Sequence, residues 1–190
     1  MLLDLSKQKI TGHLRIFEEE TGNVLLDRHN AIHPENFSIA IADALSNNNG
    51  FIKEMVFGNG GVRVNSSNSY LYSSPQTIGR TASLYNETYS KVVDQNSSDN
   101  VNKSRNNMTI SHVTGNIFTD IMIQCSLEKN EPSKQDISEE NNDIISDYTF
   151  NEVGLRTYKN DLITHICFSP ILKTSNRTLV FNYLLRIMIV

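Results

Sequence analysis

The sequence predicts a mainly β chain: an antiparallel β-sandwich or barrel with one amphipathic helix over about residues 35–46. Three observations carry this reading. Alternating apolar runs recur along the chain, clearest over residues 117–127, where Ile117, Thr119, Ile121, Ile123, Cys125 and Leu127 fall on one side. One stretch, Phe37, Ala40, Ile41, Ala44 and Leu45, repeats at helical spacing. The connections are rich in Asn, Ser and Gly, the residues of turns.

Each element follows from local pattern. Residues 10–17 alternate, Glu18 to Asn23 turn the chain, and Val24, Leu25 and Leu26 return it, which is a hairpin with a charged tip. Pro34 suits the first turn of the helix, and Asn47, Asn48, Asn49 and Gly50 end it, because Asn and Gly tolerate left-handed backbone. Residues 52–57 form a strand. Gly58, Asn59, Gly60 and Gly61 form a sharp structural turn out of it, from positive φ angles or from backbone pressed against a neighbour. Residues 62–81 hold no period and read as a long irregular connection. Residues 84–93, 148–157, 162–169 and 179–190 are strands, and 170–177 is a connection. The polar stretches at about 94–107 and 128–147 read as loop insertions in one domain, 1–190, with a composition that favours disorder.

Composition excludes several function classes. A net charge of −4 without a basic stripe argues against a nucleic-acid partner. The last apolar run carries Arg186 and is too short for a membrane helix. The first residues lack the basic and apolar regions of a signal peptide. Cys125 and Cys167 lie inside strand patterns without metal-type spacing, as free buried thiols do.

The search for chemistry yields no catalytic, cofactor or metal residue. The glycine turn lacks the Lys-Ser/Thr pair and following helix of a phosphate loop. His13, His29, His33, His112 and His165 show no metal-ligand spacing, and His165 reads as a hydrogen-bonded packing residue rather than a base. Asp120 is an outward polar position. Glu152, beside Gly154, is placed to cap a neighbouring backbone turn. No Ser, Cys or Lys lies in a nucleophile motif. The last strand is apolar on both faces: Leu179, Phe181, Tyr183, Leu185, Ile187 and Ile189 against Val180, Leu184, Met188 and Val190. Such a strand belongs inside a sheet with both faces covered, or against another subunit, and its first face is the suspected interface.

Several stretches resemble a family of small structural proteins of contractile-tailed bacteriophages, similar to those of cyanobacterial phages. They are N-A-I at Asn30, the run from Ile39 to Leu45, E-M-V-F-G-N-G-G from Glu54, and L-Y-N-E-T-Y-S-K-V-V from Leu84. F-N-E-V-G-L from Phe150, L-I-T-H from Leu162, F-S-P from Phe168, N-R-T-L from Asn176 and Y-L-L-R-I from Tyr183 follow in order. The resemblance covers most of the chain beyond residue 30. It implies a non-enzymatic virion component of the neck, collar or tail–baseplate, made in the host cytoplasm. Its partners would be copies of itself and other virion proteins, with no membrane or nucleic acid. A carbohydrate-binding β-sandwich module of a fibre is the alternative, and an enzyme with an unrecognised site the third.

Overall fold

The structure, a computed structural model, describes residues 7–132 and 148–189, so most of the polar stretch at 128–147 lies outside the described residues. Among the described residues eleven strands and one helix follow in order: β1 (Gln8–Glu18), β2 (Val24–Ile32), α1 (Pro34–Leu45), β3 (Ile52–Gly58), β4 (Val62–Val64), β5 (Tyr70–Tyr72) and β6 (Glu87–Val92). Then come β7 (Asn107–Ser111), β8 (Phe118–Leu127), β9 (Tyr148–Thr157), β10 (Leu162–Lys173) and β11 (Leu179–Ile189). Nine of them form one antiparallel sheet in the order β6-β3-β9-β10-β2-β1-β11-β8-β7, and β4 pairs with β5 alone.

That long sheet curls over itself. Four strands separate Phe57 on β3 from Phe181 on β11 in the sheet, yet their rings meet edge-to-face at 5.0 Å. Phe150 joins both, at 5.9 Å from Phe57 and 5.5 Å from Phe181. Each such pair contributes about 0.5–1.5 kcal/mol beyond area burial. Leu14, Ile16, Ile123, Leu155, Phe168 and Tyr183 complete a fully buried interior. The mainly β fold with a single helix is therefore as the sequence predicts.

Where the two edges approach, side chains make the seam. The Gln95 amide donates to the Met108 carbonyl (3.1 Å) and accepts from the Met108 N–H (3.0 Å), a ladder step made by a side chain. Lys91 on β6 donates to the Ser126 carbonyl on β8 (2.7 Å) and pairs with Glu131. Asn100 donates to the carbonyls of both Asp94 and Asn106. The expectation of disorder over 94–107 is thus corrected. Asp94, Asn100 and Asn106 are buried, and their side chains satisfy backbone groups within the segment and, through Asn106, the Ser126 N–H on β8.

Other boundaries shift for identifiable reasons. The helix stripe is narrower than its spacing implies. Asn36, Phe37 and Ala40 are buried, but Ala44 is exposed and Leu45 is 86% exposed, so the last turn is not packed into the core. Asn47 and Asn49 take positive φ after it, as expected. Residues 62–81 are not wholly irregular, because they hold the β4–β5 hairpin. β10 runs through Pro170, since a register shift between Cys167 and Ile171 removes that residue from the ladder.

Candidate functional site

The densest group of chemically capable side chains sits on β9 and β10. Register pairs Glu152 with Cys167 and Gly154 with His165, so the three side chains share the sheet face opposite Val153 and Ile166. Gly154 leaves space that Leu162, Thr164 and Leu84 close around. A Cβ there would meet the Leu162 side chain and the Thr164 carbonyl at 2.6 Å. The connection between β5 and β6 and the turn after β3 cover this face. Glu152 and His165 consequently have no exposed surface, and Cys167 is half-buried.

Every polar atom of Glu152 and His165 is engaged. Glu152 Oε1 accepts from the N–H groups of Gly60 and Asn86, each at 2.9 Å. Oε2 accepts from the Tyr85 N–H at 2.9 Å and lies 3.0 Å from His165 Nε2. His165 Nδ1 faces the Gln76 N–H at 2.8 Å, so it must accept there. The ring is therefore the tautomer with its proton on Nε2, donating to Glu152. Burial pushes Glu152 up, but the bonds from His165 and the N–H groups of Asn86, Tyr85 and Gly60 together hold it below its ordinary value. One carboxylate thus clasps three backbone donors from two loops, which is the capping role its sequence position predicts.

Glu152, His165 and Cys167 offer ligand atoms within 4.8 Å of one another, the one such group among the described residues. The distances fit a metal, since His165 Nε2 is 3.0 Å from the carboxylate and 3.6 Å from Cys167 Sγ. The tautomer does not. A ligating Nε2 would place the proton on Nδ1, against the Gln76 N–H. The thiol is disfavoured as a thiolate. Burial, with the Glu152 charge behind it, pushes Cys167 up to about 12. What the arrangement does in the fold is hold two loops against the sheet.

It also explains the glycine turn, with one correction. Gly58, Gly60 and Gly61 do not have positive φ, for the left-handed glycines are Gly22, Gly79 and Gly115. They are glycine because of close approach. A Cβ on Gly58 would lie 2.3 Å from the Asn86 carbonyl, on Gly60 2.6 Å from Tyr85 Cβ, and on Gly61 2.9 Å from Cys167 Sγ. Asn59 takes part through its carbonyl, which accepts from Asn151, and its side chain, which accepts from Asn86.

The remaining sequence expectations fall as follows. Leu179, Phe181, Tyr183 and Leu185 have no exposed surface inside the chain's own core, so that face is not available as an interface; of the six, Ile187 is partly buried and Ile189 is 61% exposed at the strand's end. Curling of the sheet supplies the cover that the sequence seemed to require from a partner. Asp120 is held by Arg186 in a two-pronged pair, both contacts at 2.7 Å, and that bond keeps its carboxyl below the ordinary range. His33 caps the helix, accepting from the Asn36 N–H and donating to the Gly79 carbonyl. Sequence spacing missed this cap, because imidazole is an uncommon one. An open polar cleft lies beside Glu18, Glu20, Thr174, Asn176 and Arg177, but its carboxylates are committed to Arg177 and the Thr178 N–H. No protein-family model, curated protein or solved structure matches the chain.

Proposed function

We propose that the chain is a non-enzymatic structural subunit of a tailed-bacteriophage virion, in the neck, collar or tail–baseplate region, working through subunit contacts. The observation that carries the non-enzymatic part is the Glu152–His165–Cys167 group. Its base has no free lone pair, its carboxylate is saturated by backbone donors, and its thiol is held protonated. The ordered run of motifs from Asn30 to Ile187 supports the virion part. Contacts would be made by what the fold leaves outside. The β4–β5 hairpin is the foremost such surface, with Val64 60%, Leu71 55%, and Tyr70 and Tyr72 each 50% exposed.

The test is mass spectrometry of gradient-purified particles from the source of this sequence. The chain should co-purify at a fixed ratio to the major virion proteins. Its recovery from the soluble lysate alone, with particles complete without it, would reject the reading. A second reading, a carbohydrate-binding module, draws on Tyr70 and Tyr72, two residues apart and so on one face of β5. Saturable binding to a glycan array that is lost in Tyr70→Ala would favour it.

A further inference from the structure

We propose that the outer face of the β1–β2 hairpin binds one divalent transition-metal ion through His13 and His29. Sixteen residues apart in sequence, the two are direct cross-strand partners. Their ring centroids lie 5.1 Å apart with planes at 67°. Two imidazoles bound at about 2.0–2.1 Å to one tetrahedral ion have centroids about 5 Å apart, so the backbone already sets the spacing.

The hydrogen bonds set the nitrogens as well. His29 Nδ1 lies 3.2 Å from the Gly12 carbonyl, which can only accept, so Nδ1 carries the proton and Nε2 keeps its lone pair. His13 Nε2 lies 2.7 Å from Asp27 Oδ1, so in the neutral ring Nδ1 keeps its own. A carbonyl behind one imidazole and a carboxylate behind the other is the outer-shell pattern that fixes metal-binding histidines and raises their basicity. The remaining histidines lack this pairing. His33 and His165 use both nitrogens, and His112 bonds the Phe118 carbonyl and Thr119 hydroxyl without a second histidine beside it.

Imidazole donors select zinc, nickel or copper over calcium or magnesium, which take oxygen. With two protein ligands, the other positions fall to water. Arg15, whose Nε is 3.9 Å from Asp27 Oδ2, offsets part of the local negative charge. The site is accordingly weaker than a closed structural one.

Untagged full-length chain, stripped with chelator, is titrated with nickel chloride or zinc chloride alone by calorimetry and equilibrium dialysis. One ion per chain should bind, more weakly on acidification because protons compete for the same lone pairs. His29→Ala should weaken binding more than about tenfold. Cys167→Ser should leave it unchanged, which separates this site from the buried group. His29 is exposed, so the variant should fold, and His13→Gln provides a second test with its fold checked by circular dichroism. No uptake at millimolar metal, or uptake undiminished in both histidine variants, overturns the proposal.

Discussion

At Glu152, a single carboxylate decides how two loops lie. It contributes a charge-assisted acceptor to three backbone N–H groups and to His165, all without exposure to water. Glu152→Gln keeps the shape but turns an amide N–H₂ toward donors, and should lower unfolding free energy by about 3 kcal/mol in urea melts. Because its folded value is depressed, its contribution is complete above the unfolded carboxylate range and is lost as pH falls through that range toward the folded value. Urea midpoints should therefore drop below about pH 4.5, less steeply in Glu152→Gln. His165→Gln should cost about 1–3 kcal/mol, since one amide cannot serve both the Gln76 N–H and the carboxylate in the ring's geometry. The capping role of Glu152 is legible from its place beside Gly154. Its partners are not, because residues 60, 76, 85 and 86 come together through the covering loop.

Among the elements, close approach rather than backbone hand governs the turn after β3. Gly60→Ala should lower stability by about 1–3 kcal/mol through contact with Tyr85 and Asn86, although its φ suits any residue. Gly115→Ala is the complementary case. Nothing lies within 4 Å of its Cβ, but φ is +92°, so a cost of about 1 kcal/mol there is conformational. Thermal melts of the two variants separate the causes. Sequence pattern gives β9 at its observed bounds, 148–157, because aromatic and aliphatic residues recur through it and the flanks are polar. β4 and β5, three residues each, are too short to show a period, and β7 reads N-M-T-I-S, too polar to stand out. Pro170 looks like a stop but lies where the β10 ladder is already broken. The hairpin was legible, but the facing of His13 and His29 needed its register, which an irregularity between Ile16 and Phe17 conceals.

For the whole molecule, the curl of one sheet replaces the partner that the apolar last strand seemed to demand. Phe181→Ala should remove about 3–5 kcal/mol by opening a cavity against Phe57 and Phe150 on the facing strands, read as a loss of denaturant midpoint. The expected interface face and the core are the same residues, and only curvature tells them apart. Curvature is set by contacts between strands far apart in the sheet, which no local pattern records. The wall is joined by backbone ladder everywhere between β6 and β7, and by Gln95, Lys91 and Asn100 where those edges meet. The cylinder therefore has a built-in line of rupture. Pulled apart by handles placed on β6 and β7, it should part first along that line and swing open, as a sheet still intact, whereas a pull on the chain ends would unzip β1 from β11, where Gln8 faces Ile189. In single-molecule extension between those handles Gln95→Ala should lower the force of the first event and leave the later ones in place.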